Sequence, residues 1–166
     1  MQAESILHPI PPLYTKDSRI LILGSFPSVK SRETGFFYGH HRNRFWSVLG
    51  SVFEDVVPGT VPEKKEFLLR HGIAVWDVIR SCTIAGSSDA SIKDVVPNDI
   101  RLILETAKIR RIYVNGRTAE KLYRKYTEAV TGQAAVCLPS TSPANAAWSL
   151  ERLVEAWSVI RAETSL

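Results

Sequence analysis

Residues 24 to 46, GSFPSVKSRETGFFYGHHRNRFW, concentrate side chains that can do chemistry. Aromatic rings stand beside an amide, Asn43, and three basic groups, Arg32, Arg42 and Arg44. A ring held between glycines can stack on a flat ligand, which is worth about 1–3 kcal/mol for a nucleobase. Arginines can bind phosphate groups. The segment is therefore a candidate nucleotide site, although the same rings could instead fill the core.

A second polar stretch, LPSTSPANAAW, follows an apolar run and begins at Leu138. Its hydroxyl groups and its asparagine are residue types that cap helices. A helix N-terminus in such a setting also presents backbone N–H groups to a phosphate. The two interpretations are compatible, and Pro139 and Pro143 are expected to stiffen the loop.

The third stretch, VWDVIRSCTIAGSSD, contains a carboxylate, Asp77, inside an apolar run. A buried carboxylate must find hydrogen-bond donors or lose its charge. Asp77 could bond to the backbone or to an arginine, or it could read the donor edge of a bound base. Asp89 is expected in a turn that could also face the site, and Asn115 ends another apolar run. His40 and His41 are expected to point apart in an extended loop, so no metal site is predicted.

Composition favours an ordinary globular domain of 166 residues, with 45% hydrophobic and 23% charged residues. The net charge of +4 permits binding to nucleic acid without requiring it. The two cysteines and four histidines have neither disulfide-scaffold numbers nor zinc-ligand spacing. We see no signal peptide and no apolar run near the ~20 residues that span a membrane. A cytoplasmic protein is expected.

Strands are predicted to alternate with helices, which indicates an α/β fold with a mainly parallel sheet. The polar stretches follow the strands, and ligands of such folds bind beyond the carboxyl ends of strands. The predicted strands are Arg19 to Gly24, Ile73 to Ile79, Arg111 to Asn115 and Ala134 to Leu138. The predicted helices are Arg44 to Phe53, Pro62 to His71, Ile100 to Ala107, Ala119 to Tyr126 and Leu150 to Ile160.

Three motifs in order, GSFPS, FYGHHRNRFW and LPSTSPAN, resemble the uracil-DNA glycosylase superfamily. The resemblance extends from Ile20 to about Ile160 and is greatest to the hypoxanthine-DNA glycosylase branch. NRFW is also similar to the mismatch-specific uracil/thymine glycosylases. The resemblance implies a three-layer α/β/α sandwich with a central four-stranded, mainly parallel sheet, as one glycosylase domain over residues 1–166.

The same resemblance implies a monofunctional DNA repair enzyme that hydrolyses the N-glycosidic bond of a deaminated base flipped out of DNA. It implies no metal and no organic cofactor. The expected partner is double-stranded or single-stranded DNA that contains the deaminated base, with no membrane and with the protein as a monomer.

Roles follow from the resemblance residue by residue. The catalytic candidates are Asn43, whose carbonyl oxygen would hold water, and Ser25 and Ser28, whose neighbouring backbone N–H groups would stabilise the departing base. The base-binding candidates are Phe26, Phe37, Tyr38 (stacking on the base), Asp77 and Asn115. The DNA-binding candidates are Arg42, Pro139, Ser140, Thr141, Ser142 and Asn145.

Two positions depart from the superfamily pattern. Phe26 stands where most members have Asp or Asn before the proline, and Leu138 stands where many have His or Asn. A phenyl ring can neither accept a proton nor orient water, which puts efficient removal of uracil in doubt. One alternative is a uracil or G:U/G:T mismatch-specific glycosylase. Another is a non-catalytic damaged-DNA-binding protein, which Phe26 and Leu138 would favour.

Overall fold

A parallel sheet of four strands lies at the centre of the structure, a computed structural model that describes residues 2–165. Its strand order is β3-β2-β6-β7, and every residue of β2 and β3 is buried. The predicted strands are confirmed, except that the second one ends at Asp77. The strands are β1 (Glu4–Leu7), β2 (Ile20–Gly24), β3 (Ile73–Asp77), β4 (Ile79–Ile84), β5 (Lys93–Pro97), β6 (Arg111–Asn115) and β7 (Ala135–Leu138).

The helices confirm the five predicted segments and add to them. The last predicted helix is divided in two at Ser158, and a short helix, α1, was not foreseen inside the 24–46 segment. The helices are α1 (Val29–Thr34), α2 (Phe45–Val52), α3 (Val61–Arg70), α4 (Arg101–Thr106), α5 (Arg117–Tyr126), α6 (Glu128–Thr131), α7 (Leu150–Trp157) and α8 (Val159–Thr164).

Strand order and chain direction give the layers. From β2 the chain moves to one side, to β3, and then returns past β2 to β6 and β7. Such crossovers are right-handed in almost every protein, which places α1 to α3 on one face and α4 to α6 on the other. Helix α7 packs against α2. This is the α/β/α sandwich expected from the sequence, and its core contains Leu21, Leu23, Phe45 and Trp157.

A second, antiparallel sheet of order β1-β4-β5 was not predicted. The chain leaves the parallel sheet at Val78, whose N–H donates to the Gly24 carbonyl at 2.9 Å, and continues directly into β4. Irregular pairing between β4 and β5 shifts the register around Ser81. These shifts break the two-residue alternation that would have revealed the strand in the sequence.

The N-terminal segment is tied to both sheets. β1 pairs with β4, and the N–H of His8 donates to the carbonyl of Arg80 at 2.7 Å. Further along, Leu13 forms a bridge to Val75 in β3. The segment therefore passes close to the end of β3, where Asp77 lies.

The structure also describes the cysteines and the lengths of the helices. Cys82 and Cys137 are both free thiols. Within residues 2–165, no helix combines the length and the apolar composition needed to cross a membrane.

Asn98 holds the point at which the chain changes sheets. Its buried amide nitrogen donates to the carbonyls of Asp77 and Ile79, at 2.9 and 3.1 Å. These two residues flank Val78, so one side chain satisfies the backbone of both strand ends.

We predict that Asn98→Ala lowers the free energy of unfolding by about 1–3 kcal/mol, because two buried carbonyls lose their donor. Urea unfolding followed by circular dichroism measures the change. Glu105→Ala, at an exposed position on the following helix α4, is the control and should change stability by less than about 0.5 kcal/mol. Equal effects of the two substitutions would contradict the role assigned to Asn98.

Candidate active site

A cavity of about 390 Å³ opens at the carboxyl ends of the parallel strands. This is the edge of an α/β sheet at which ligands bind. The predicted site residues that line it are Ser25, Phe26, Ser28, Phe37, Tyr38, Asn43, Asp77, Asn115, Ser140, Thr141 and Ser142. Arg42, Pro139 and Asn145 do not line it; Pro139 and Asn145 line an adjoining cleft beside Trp148.

Gly24 permits the close approach of groups at the cavity floor. It pairs with Asp77 in the register of β2 and β3. A Cβ atom at position 24 would lie 2.5 Å from Asp77 Oδ1 and 3.1 Å from the hydroxyl oxygen of Tyr38. The first distance is shorter than real contacts allow, so the carboxylate takes this position because residue 24 is glycine.

A hydrogen-bonded network joins three of the loops that follow the strands. Asn115 donates through Nδ2 to the Thr141 hydroxyl at 3.0 Å and accepts the Thr141 N–H at 3.1 Å. The Thr141 hydroxyl in turn donates to Asn43 Oδ1 at 2.8 Å. Thr141 is fully buried, so its side chain positions the loop, and the predicted DNA contact through it is wrong.

Asn43 is oriented by this network. Its Oδ1 accepts both the Thr141 hydroxyl and the N–H of Phe45, the latter at 3.0 Å. An amide oxygen has two lone pairs, and both are now used. The predicted role for this oxygen, holding a water molecule, therefore conflicts with the structure. The amide nitrogen has no hydrogen-bond partner within residues 2–165 and belongs to the cavity lining as a donor.

Asp77 is held by a residue that the sequence did not point to. Its Oδ2 accepts a hydrogen bond from His8 Nε2 at 2.7 Å, and the two side chains are 5% and 2% exposed. The other oxygen, Oδ1, receives no hydrogen bond within the described chain and faces the cavity. The site thus contains a carboxylate oxygen without a donor, and the base-reading role of Asp77 stays a prediction.

The aromatic residues divide between core and cavity wall. Phe36, Phe37, Phe45 and Trp46 are all buried in the core, as the simpler interpretation of the segment held. Phe37 also lines the cavity, and the partly buried Phe26 lines it too. Base stacking therefore has fewer exposed rings available than the composition of the segment suggested.

Tyr38 is held in position by both ring stacking and backbone hydrogen bonds. It has a left-handed backbone with φ 53°, and its ring stacks on Phe45 with centroids 3.9 Å apart. The N–H of Gly39 donates to Ser31 Oγ at 2.9 Å, and Trp46 Nε1 donates to the Tyr38 carbonyl at 3.2 Å. These bonds hold a backbone conformation that non-glycine residues rarely adopt. One face of the ring is occupied by Phe45, so a base could stack only on the other.

The hydroxyl of Tyr38 is buried and has no hydrogen-bond partner within residues 2–165. Burial and the nearby charge of Asp77 raise the pKa of this phenol far above its usual range. Tyr38 therefore keeps its proton and is available as a donor. An unsatisfied buried hydroxyl in a cavity is a position that a ligand atom can satisfy.

Ser25 and Ser28 have local partners. Ser25 Oγ donates to Asp89 Oδ1 at 3.2 Å, and Ser28 Oγ caps α1 by accepting the N–H of Ser31 at 3.1 Å. Asp89 lies at the mouth of the cavity, as the turn interpretation allowed, and desolvation raises the pKa of its carboxyl. The backbone N–H groups of Ser25 and Ser28 bond to no acceptor within residues 2–165.

The loop from Pro139 to Asn145 is held in place by hydrogen bonds from Arg44. Its guanidinium donates to the carbonyls of Ser142 and Asn145, at 3.1 and 3.0 Å, and to that of Trp148. Arg44 is therefore structural, and its predicted phosphate contact is wrong. Arg32 is likewise used, since it donates to the carbonyls of Pro27 and Gly86. Arg42 remains exposed and forms no ion pair within residues 2–165.

The interpretation of the loop residues as helix caps is wrong. Helix α7 begins at Leu150, as predicted, but it is capped by Ser149, so the loop residues do not lie at a helix N-terminus. They form turns, in which Ser142 N–H donates to Ser140 Oγ and Asn145 Nδ2 donates to the Ser140 carbonyl.

Sequence reasoning also missed the positions of two histidines. His8 carried no motif and lies 69 residues from Asp77, so no local spacing could reveal the pair. His40 lines the cavity and stacks on His41 with centroids 4.8 Å apart, whereas the two rings were expected to point apart.

We predict that Thr141→Val lowers the free energy of unfolding by about 1–3 kcal/mol, because buried groups of Asn43 and Asn115 lose the hydroxyl between them. Valine keeps the shape, so packing is conserved. Urea unfolding measures the loss, and Thr106→Val, which removes an exposed hydroxyl on α4, is the control. If Thr141→Val is no more destabilising than Thr106→Val, the network does not have the role given to it.

Comparison with known proteins agrees with this geometry. The family model described as the uracil DNA glycosylase superfamily matches residues 11–161. Among curated proteins, a hypoxanthine DNA glycosylase of Methanosarcina acetivorans is 35% identical over 153 residues, which are 91% of this chain and 96% of that protein. A hypoxanthine DNA glycosylase of Methanosarcina barkeri is 34% identical over 109 residues, 64% of this chain and 69% of that protein.

The fold matches a solved structure as well. A solution NMR structure from Methanosarcina acetivorans, provisionally described as a uracil DNA glycosylase, superimposes with a TM-score of 0.79 at 30% identity. The match covers 99% of this chain and 98% of that one. With the parallel sheet, the loops at its carboxyl edge and the family model in agreement, the chain belongs to the uracil DNA glycosylase superfamily.

Proposed function

We propose that the protein is a DNA glycosylase that releases hypoxanthine, the base produced by deamination of adenine. The observation that carries the proposal is the unpaired Asp77 Oδ1 at the floor of the cavity. Curated relatives named hypoxanthine DNA glycosylases, one of them similar over nearly the whole chain, support the same substrate. The cavity volume of about 390 Å³ lies in the range of small-molecule sites, about 300–1,000 Å³.

Base recognition rests on hydrogen-bond polarity. Hypoxanthine has a ring N–H at N1, whereas adenine has a lone pair there. The unpaired Asp77 Oδ1, an acceptor, can bond to the first and has no donor to meet in the second. Hypoxanthine flipped into this site gives Asp77 Oδ1 a hydrogen-bond donor, whereas adenine leaves this buried acceptor unpaired. Such a difference gives large discrimination between two bases.

The departing base needs donors elsewhere on its ring. In the reaction the C1′–N9 bond breaks with its electron pair passing to the purine. The amide nitrogen of Asn43 is a donor without a protein partner in residues 2–165, and Ser25 and Ser28, whose backbone N–H groups are also unpaired there, line the same cavity. Donors fixed in advance at a point where charge develops contribute much of the rate enhancement of enzymes.

Water completes the reaction at the sugar. As the C1′–N9 bond lengthens the sugar becomes a cation, and the oxygen of a water molecule bonds to C1′. The proton lost by the water is taken up by the base, so the products are free hypoxanthine and an abasic site. Phe26 stands at the position of the usual acidic or amide group, so no strong base acts on the water there. The protein would accelerate the reaction by stabilising the separated charges of the sugar and the base.

DNA would lie over the rim formed by the loop after β7. Ser140, Ser142 and Asn145 belong to this loop, which Arg44 keeps rigid, and Pro143 is exposed on it. Arg42 is available for a phosphate because it has no protein partner in residues 2–165. A rigid, exposed loop is suited to entering the space that a flipped nucleotide leaves. A cytoplasmic monomer stays a prediction.

Duplexes that contain deoxyinosine, deoxyuridine or deoxyxanthosine, incubated with excess protein, test the proposed function. We expect deoxyinosine to give free base and an abasic site fastest. Faster release from deoxyuridine would favour the uracil or mismatch alternative. Salt-dependent binding to all three duplexes, with no base released, would instead identify a damaged-DNA-binding protein.

We predict that Asn43→Asp and Asn43→Ala each slow single-turnover release of hypoxanthine by about 10²–10³-fold, the usual loss for one catalytic donor. The aspartate keeps an oxygen for the Phe45 N–H and the Thr141 hydroxyl but removes the donor. Binding to the inosine duplex, measured by fluorescence anisotropy, should persist.

The aspartate variant also decides which end of the amide works. If Asn43 acted by holding water through an oxygen, Asn43→Asp would remain active or become faster, since a carboxylate is the stronger base. That result would restore the role first expected from the sequence and contradict the one derived from the hydrogen bonds.

A further inference from the structure

We infer that His8 is a positioning residue for base recognition: it binds Asp77 Oδ2 and directs Asp77 Oδ1 to the ring N–H of the base. The inference rests on the proposed function and extends it, since it assigns the recognition of a ring N–H to two residues, His8 and Asp77. His8 lies outside residues 11–161, which the family model matches.

The contact between the two residues is short and shielded from water. His8 Nε2 and Asp77 Oδ2 are 2.7 Å apart, and the side chains are 2% and 5% exposed. No other side chain in residues 2–165 donates to this carboxylate, and no Lys or Arg lies in ion-pair range of it. Among the described residues, His8 is thus the side chain that holds the Asp77 carboxyl group in place.

The direction of the hydrogen bond is set by a backbone group. The N–H of Ile10 donates to His8 Nδ1 at 3.1 Å. Nδ1 must therefore be the unprotonated nitrogen, which leaves the hydrogen on Nε2. The imidazole therefore donates through Nε2, and Asp77 is the acceptor of the pair.

The imidazole ring is also held in orientation. Phe26 meets it edge-on with centroids 5.7 Å apart, and Phe37 packs at 6.2 Å. The backbone of His8 is joined to β4 by the bond from its N–H to the Arg80 carbonyl. The ring therefore cannot turn away from Asp77 without disturbing the wall of the cavity.

The remaining surroundings of Asp77 direct its second oxygen. Gly24 leaves room for Oδ1 at the end of β2, and the protonated Tyr38 hydroxyl lies on the same side. The backbone carbonyl of Asp77 is fixed separately by Asn98. With Oδ2 bonded to His8, Oδ1 is the acceptor that a base entering the cavity meets.

The consequence is discrimination against normal adenine. Without His8 the carboxylate could turn, and Oδ1 would no longer stay aimed at the entering base. With Oδ2 bonded to His8, Oδ1 meets the ring N–H of hypoxanthine as an acceptor, whereas the lone pair at N1 of adenine gives it no donor.

Four variants test the inference through single-turnover release of hypoxanthine from an inosine duplex. His8→Leu removes the donor and should slow release by about 10- to 100-fold, a loss typical of small misplacement of a contacting group. His8→Gln can present an amide N–H at a similar reach and should recover most of the rate. Asp77→Asn and the double variant His8→Leu/Asp77→Asn complete a double-mutant cycle.

The cycle separates positioning from a general structural effect. If His8 acts through Asp77, adding His8→Leu to Asp77→Asn should slow release by no more than about twofold, because interacting residues are not additive. His71→Leu is the matched control, since His71 forms a similar 2.8 Å pair with Asp55 outside the cavity. It should leave the rate of release unchanged, and thermal unfolding should confirm that each variant is folded.

The possible failures are distinguishable. Wild-type protein that releases no hypoxanthine would overturn the proposed function, and the inference with it. An active wild type whose rate is unaffected by His8→Leu would overturn the inference alone. The inference is also wrong if His8→Leu slows Asp77→Asn by the same factor as it slows the wild type, or if His8→Gln is as slow as His8→Leu.

Discussion

The hydrogen bonds made by Thr141 are the interactions on which the candidate active site depends. Its hydroxyl is fully buried and joins Asn43, Asn115 and its own loop, so the segments after β2, β6 and β7 meet at one oxygen atom. Such a network is costly to break at the buried hydroxyl of Thr141, because each lost bond leaves a polar group without its partner. The network therefore defines both the shape of the cavity and the end of Asn43 that faces it.

The cavity combines two opposite polarities. His8 and Asp77 make an acceptor at the floor, whereas the Asn43 amide nitrogen and the free N–H groups after β2 are donors. Phe26 and Leu138, apolar where related proteins often have polar groups, leave no strong base or imidazole at their positions. We therefore propose that recognition of the base and stabilisation of its departure, more than activation of water, govern the reaction.

The sequence predicted the central sheet because its strands are continuous apolar runs, and it predicted the site because polar loops follow those strands. It could not predict β1, β4 and β5, whose exposed residues and shifted register give no regular period. The hydrogen bond between His8 and Asp77 joins residues that lie 69 positions apart in the sequence. The orientation of Asn43 depends on the N–H of Phe45, and Arg44 is structural only because the later loop folds over it. Such partners become visible only once the chain is folded.

The central claim is that Asp77 reads the ring N–H of hypoxanthine inside this cavity. A crystal structure of the Asn43→Ala protein bound to an inosine duplex would test it most directly, since the base should remain attached to its sugar. The account predicts a flipped hypoxanthine with N1 at hydrogen-bonding distance from Asp77 Oδ1, about 2.7–3.2 Å, and with His8 still bonded to Oδ2. A base bound outside the cavity, or one that turns another edge toward Asp77, would contradict it.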